Sequence, residues 1–467
     1  MKSIYTTRLQ RYFAILLMLT VFSCSDFLDV GTPSTQIARQ DVYQDDAAAI
    51  STINGIYSEM MFSSGFASGG VSSVTLLAGR SADDFTNHSN SQTAEFSSNN
   101  VTDNNTNLRS NLWSEAYRYI YFANAILEGL EQSKGITASV KQQLKGEALF
   151  VRAFCYFYLV NLFGEVPLLT GTDFRTNRET PRSSSTDVYD QIVNDLAIAK
   201  DLLAEDYSFS ANQRTRPNRW AATAQLSRAH LFRNDWSKAE EEASEIIDNT
   251  LFALEENLSS VFLKNSKEAI WQLIPHEGTI NTREGALFIL TATPTEVSLS
   301  NSLLQSFEIN DLRNAQWVSS IDVSGNTYHY PYKYKIKSGT TISEYSMVLR
   351  LAEQYLIRAE ARAQLDDVEG AIGDLDRIRQ RAGLPLYQDI QPGMSKAEVL
   401  SAIEQERRIE LFSEWGHRWL DLKRTGKADE VLGLEKGSDW QPTDVLYPIP
   451  FSEIQNNRNL LPQNPGY

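Results

Sequence analysis

The sequence predicts an all-α fold of tetratricopeptide-like helical pairs, with a large irregular loop region and a few short strands. Three observations carry this. Apolar side chains recur three or four residues apart over long stretches, the period of one helix face. Two helical hairpins share the same offset between small residues. Two long excursions, about 63–107 and 250–347, lose the helical period altogether.

Helical segments fall at about 45–62, 108–163, 185–248 and 349–422. In 108–134 the stripe is Trp113, Tyr117, Ile120, Ala123, Ile126, Leu127 and Leu130; in 137–163 it is Leu144, Ala148, Val151, Phe154, Phe157, Tyr158 and Leu162. Gly164 closes the second helix and Pro167 blocks its resumption. The pair at 217–248 places Pro217 where a first helical position lacks a hydrogen-bond partner anyway, and Arg233-Asn234-Asp235 separates its helices. The pair at 349–382 breaks at Asp366-Asp367 and ends at Gly383 and Pro385. In both, an alanine of the second helix (Ala239, Ala371) follows a small residue of the first (Ser227, Ala359) by 12 positions, an offset found in tetratricopeptide repeats. Such hairpins expose an apolar face that only a stacked neighbour covers. A last helix starts at Ser395, where Ser395 and Glu398 form a capping box. It runs to about Trp415, with Arg407 and Glu410 spaced to pair.

The first excursion is rich in Ser, Asn, Gly and Thr. The second contains strand-like runs at 269–274 and 328–332. Long irregular segments on a rigid scaffold carry binding residues more often than the scaffold does.

Bulk numbers narrow the function. At 467 residues the chain can bury a large core. Its net charge is −16, and no basic stripe offsets it, which excludes nucleic acid as a partner. There are 2 cysteines; Cys155 sits in an apolar helical run and reads as a buried thiol.

Residues 1–23 have the parts of a secretory signal: Lys2, Arg8 and Arg11, then an apolar run from Phe13 to Phe22 too short to span a bilayer, then Ser23. Cys24 follows as in a bacterial lipobox, with a bulkier Phe22 than is usual. Acyl chains on Cys24 would hold the remainder, 24–467, to a membrane surface. Ser25-Asp26 and Asp29 resemble the acidic tether of surface-exported Bacteroidetes lipoproteins.

Several ordered blocks resemble the SusD/RagB family of Bacteroidetes outer-membrane lipoproteins. They are Glu147-Ala148-Leu149-Phe150-Val151-Arg152-Ala153-Phe154 with Phe163-Gly164-Glu165-Val166-Pro167, Arg358-Ala359-Glu360-Ala361, and Glu406-Arg407-Arg408-Ile409-Glu410-Leu411. Arg418-Trp419-Leu420-Asp421-Leu422 and the ending Gln463-Asn464-Pro465-Gly466-Tyr467 complete the set. The resemblance implies four tetratricopeptide-like pairs with an irregular region against them. It also implies a lipid-anchored protein at the outer-membrane cell surface that passes cargo to a SusC-like TonB-dependent transporter. The implied cargo is an oligosaccharide, with peptide as the alternative.

No motif for a metal, a phosphate loop or a nucleophile elbow is present, so neither cofactor nor catalysis is expected. A glycan hydrolase is the remaining enzymatic alternative, since paired carboxylates must occur by chance among 59 acids. Arg152, Arg407, Arg408, Glu410, Arg418 and Asp421 read as ion pairs between helices, and Trp113 and Trp419 as core. A glycan site needs aromatic faces and fixed polar groups on loops. The candidates are Asp84, Phe85, Asn87 and His88 in the first excursion, with Trp317, Tyr328 and Tyr330 in the second.

Overall fold

In the computed structural model, residues 42–62, 65–275, 278 and 280–467 are described. The leader, Cys24 and the acidic stretch after it lie outside that set. The longer helices are α1 (Asp46–Phe62), α2 (Val74–Ser81), α3 (Glu115–Gln132), α4 (Ala138–Phe163), α5 (Ser185–Leu202) and α6 (Arg219–Phe232). They continue as α7 (Trp236–Ile247), α8 (Leu351–Gln364), α9 (Val368–Arg381), α10 (Lys396–Leu411), α11 (His417–Arg424) and α12 (Ala428–Lys436). A π-helical stretch, Asn107–Ser114, leads straight into α3.

From α3 to α9 each helix packs on the next, and α8 also receives α10. This is the stacked-hairpin arrangement that the alanine offsets predict. Ser227, Ala239, Ala359 and Ala371 have no exposed surface, and small side chains there let the helices approach closely. Helix α6 is tied to α8 by Ser227 Oγ donating to Gln354 Oε1 at 2.6 Å and by Arg228 on Glu353 at 2.5 Å.

The hairpin ends follow their local chemistry. Gly164 caps α4 at φ 73°. Asp366 takes φ 68°, and the Asp367 carboxylate then accepts from Gly370 N at 3.0 Å. Pro217 lies two residues before α6 rather than within it, because the Asn218 side chain caps that helix by accepting from Ala221 N at 3.1 Å. The Ser395–Glu398 capping box is formed. Helix α10 stops at Leu411, short of Trp415, since Ser413 and Trp415 adopt φ 55° and 46°. That turn sends the Trp415 indole N–H to Met347 O at 2.8 Å.

Helix α4 is long and apolar enough to cross a membrane, yet 94% of its apolar window is buried in the protein. Its Phe150, Phe154 and Tyr158 meet Trp271 and Trp415 edge-on or tilted, with centroids 5.0–5.6 Å apart. Cys155, on the same helix, is buried as well. Burial pushes its thiol pKa up, so it stays protonated.

The expected ion pairs join helices. Arg152 holds Asp195 across α4 and α5 with two bonds of 2.7 Å, and Arg418 holds Asp83 at 2.8 Å. Arg407 and Glu410 do not pair. Arg407 bonds Asp421 at 2.9 Å, and Glu410 turns the other way to Arg350 at 2.6 Å, because residues three apart on α10 here face different neighbours.

The strands are short antiparallel pairs: β1 (Phe85–Asn87), β2 (Val166–Pro167), β3 (Arg182–Ser183), β4 (Ala269–Leu273), β5 (Val297–Leu299), β6 (Val318–Val323), β7 (Asn326–Pro331) and β8 (Ser346–Arg350). They join as β1–β5, β2–β3, β4–β8 and β6–β7. The first excursion is less loop-like than its composition suggests. All eight residues of α2 are buried, and Ser73 caps it. The chain's last segment returns to the end of α4: Tyr447 N donates to Leu162 O at 2.8 Å, and Asn464 Nδ2 donates to Phe163 O at 2.8 Å and to Tyr447 O at 2.7 Å.

Candidate functional site

Strand β1 runs antiparallel to β5 with Asn87 opposite Val297, and the ladder extends one residue further through His88 N donating to Glu296 O at 2.8 Å. Strand β5 in turn lies beside β7. This brings two stretches more than 200 residues apart together, His88 and Tyr328, whose rings meet edge to face at 5.5 Å. Both are half-buried. The imidazole Nε2 shares a 2.9 Å hydrogen bond with Ser298 Oγ. Burial and then the nearby Arg80 charge lower the His88 pKa, so the ring is neutral at pH 7.

Asn87 is exposed beside them. Its Oδ1 accepts from the Arg80 guanidinium, and its Nδ2 donates to Ser89 O at 2.8 Å. Arg80 is itself buried on α2 and pairs Glu296 at 2.5 Å, so its charge is spent within the protein. Next to Asn87 lies a shallow depression of about 630 Å³, lined by side chains that include Asn90, Ser91, Gln92, Glu95, Asn100 and Asp439. Ser89, Ser91 and Thr93 share a chain of hydroxyl contacts at 2.8–2.9 Å. The depression offers donors and acceptors at fixed positions, which is what sugar hydroxyls require, while the His88–Tyr328 pair lies outside its lining, one residue further along from Asn87.

The remaining sequence candidates are not on this surface. Trp317 is wholly buried: its indole N–H donates to Leu258 O at 3.0 Å, Phe262 packs on it at 5.8 Å, and the Lys333 ammonium sits 4.8 Å over its ring. It is a core residue, closed off from solvent. Asp84 is 2% exposed and bonds Arg408 at 3.3 Å. Burial outweighs that cation and raises the Asp84 pKa to about 6, with neighbouring Asp83 adding to the rise. Phe85 stacks on Phe288 at 5.6 Å and closes a local core. Tyr330 is 7% exposed and packs on Tyr332. The alternation of a strand explains Phe85 and Asn87, which share a face while Phe85 lies deeper in the core.

Sequence reasoning missed Glu296, Ser298, Arg80 and the Asn90–Gln92 turn. Only the Ser/Asn richness of 89–92 could have pointed there; Glu296 and Ser298 reach the site through strand pairing alone.

A second groove, of about 640 Å³, lies where α3 begins and is lined by Trp113, Tyr117, Pro167, Leu169 and Phe174 among others. It is more apolar and suits a hydrophobic surface better than a hydroxyl-rich ligand. Among the described residues no group of three His, Cys, Asp or Glu side chains is placed to hold a metal.

Known proteins agree with this architecture. Residues 26–231 match the family model described as "Starch-binding associating with outer membrane", and residues 318–467 match the SusD family model. The SusD-like protein P2 of Formosa agariphila is 29% identical, covering 97% of this chain and 98% of its own length. A SusD superfamily structure from Bacteroides vulgatus superposes with a TM-score of 0.80 at 21% identity, over 91% of this chain and all of its own. A structure described as a laminarin-binding SusD-like protein superposes with a TM-score of 0.77 at 24% identity, over the same shares. The stacked helical pairs, the irregular region packed against them and both family models agree: the chain belongs to the SusD/RagB family.

Proposed function

We propose that the protein binds an oligosaccharide at the His88–Tyr328 surface and passes it, chemically unchanged, to a SusC-like TonB-dependent transporter. The observation that supports this most directly is that β1 and its extension carry both Asn87, which lines a depression of hydroxyl and amide groups, and His88, whose ring meets Tyr328. An aromatic ring face covers sugar C–H faces and the amides bond hydroxyls. A shallow open site suits capture and release better than chemistry, which needs water excluded from the reacting atoms. The lipobox-like sequence at Cys24 supports an acyl anchor that keeps this surface at the cell exterior.

Binding is tested on a glycan array, followed by titration calorimetry with the best ligand. Tyr328→Ala is expected to weaken it by about 1–3 kcal/mol, the worth of a stacking aromatic at an interface, with the helical circular dichroism unchanged. Full affinity in both Tyr328→Ala and His88→Ala would move the site elsewhere. Partnership is tested by affinity purification from outer membranes, where a large β-barrel protein should copurify. Mass spectrometry of the mature amino terminus should find Cys24 acylated.

A further inference from the structure

The cations on the elements that build this surface share one property: each gives its charge to the protein. Arg80 pairs Glu296 and donates to Asn87 and to Ser97, the last at 3.2 Å. Lys436, at the end of α12, points inward and bonds Ser81 O at 2.8 Å, Arg80 O at 3.1 Å and the Asn99 side chain. The three lysines that follow β7 behave alike. Lys333 reaches Glu410 O at 2.8 Å and Glu414. Lys335 bonds Tyr332 O at 2.5 Å and Gln316 O, and Lys337 bonds Ile289 O at 2.6 Å and Ala286 O at 2.9 Å. Arg408 holds Asp83 at 2.8 Å and Asp84.

The acids are arranged differently. Glu95 and Asp439 line the depression, and Asp439 is exposed. Glu296 remains 27% exposed although it pairs Arg80. Lys436 and Arg80, the cations next to this wall, lie beneath it. An incoming ligand therefore meets carboxylates, amides and hydroxyls, while the balancing positive charge is behind them. The whole chain, at −16, adds a repulsive field of the same sign.

Resting on the glycan reading above, we propose that this site selects uncharged oligosaccharides and rejects polyanionic ones, whether sulfated or built from uronic acids. Neutral hydroxyls satisfy the amides and carboxylates directly. A sulfate or carboxylate would be desolvated against Glu95 and Asp439 with no cation turned toward it. Rejection is then an electrostatic property of this wall, independent of how the sugar rings stack on Tyr328.

The test uses the purified protein with two sets of oligosaccharides of matched length. One is neutral (β-1,3-glucan, α-1,4-glucan, β-1,4-xylan) and the other anionic (oligoalginate, oligogalacturonate, sulfated galactan), each at low and high salt. A neutral ligand should bind, with the anionic set at least about tenfold weaker at low salt, where screening is least. Asp439→Lys should narrow that gap, raising the affinity for anionic relative to neutral oligosaccharides at low salt. Tight binding of an anionic oligosaccharide that salt weakens would overturn the selectivity and leave glycan binding intact. Equal rejection of anions by Asp439→Lys would overturn the role given to the acidic wall. Binding of neither set, with peptide ligands bound instead, would overturn the glycan reading itself and this inference with it.

Discussion

The surface around His88 and Tyr328 and the buried cluster around Trp317 use nearly the same residue types for opposite ends. Both combine aromatic rings with carboxylates and cations. Around Trp317 the polar groups satisfy one another: Arg350 contacts Glu268, Glu410 and Glu414 within 2.9 Å, Arg313 takes Asp311 and Glu406, and Lys333 covers the indole. At the surface the cations are withdrawn and the amides, hydroxyls and acids are left facing water. The difference lies in where the partners are, not in which residues are present. A closed ionic network specifies how strands and helices dock, and an open polar surface is free to dock something else.

Four measurements sharpen or break that contrast, beginning with the largest effect on stability. Trp317→Ala should cost about 3–5 kcal/mol in denaturant unfolding, as for a buried aromatic. A loss below about 1 kcal/mol would mean that Trp317 is not core. Acid comes next. Burial raises the Glu410 pKa, but Arg381 and Arg350 outweigh that and hold it well below the usual carboxylate value; Glu414 is also lowered, against burial, by Arg350 and Lys333. Arg228 of α6 overcomes burial to bring Glu353 of α8 from 4.5 to about 2. A depressed carboxylate stabilises the fold above its unfolded pKa and loses that contribution as pH falls through the folded value. Glu353 alone accounts for about 3 kcal/mol lost between roughly pH 5 and pH 2. Thermal melts over that range should show it, and Glu353→Gln should flatten the acid limb.

Glu284 is the exception within the sealed region. One carboxylate oxygen accepts from Ser346 Oγ at 2.5 Å and the other has no hydrogen-bond partner, and burial raises its pKa to about 7. A raised carboxylate stabilises the fold below its unfolded pKa and loses that contribution as pH rises through 7. Glu284→Gln should therefore be more stable than the parent at pH 8 by about 3 kcal/mol, with the advantage gone near pH 4. The smallest stability effect belongs to the surface. Tyr328→Ala should change unfolding by only about 0.5–1 kcal/mol, since the ring is half-exposed, while ligand affinity falls.

The helical scaffold was legible in the sequence because its signals are local. The offset from Ser227 to Ala239 and from Ala359 to Ala371, the capping pair Ser395 and Glu398, and Gly164 each act within a turn or a hairpin. Helix α2 was hidden because a Ser- and Gly-rich neighbourhood reads as loop, although small residues are what let it pack without exposure. Trp317 and Tyr328 were both candidates, as aromatic residues in a polar excursion, with Trp317 the leading one. Only the tertiary neighbours separate them: Leu258 and Phe262 close over one, and His88 leaves the other half open. Glu296 could not be found at all, since its role depends on strand β5 pairing with a segment some 200 residues earlier.

The return of the chain to the end of α4 makes a distant segment part of the central helix. The carbonyls of Leu162 and Phe163 receive their donors from Tyr447 and Asn464, some 300 residues further along. A chain cleaved before Tyr447 and stripped of that segment would leave both acceptors open, so a cut near the surface is felt at the centre of the stack.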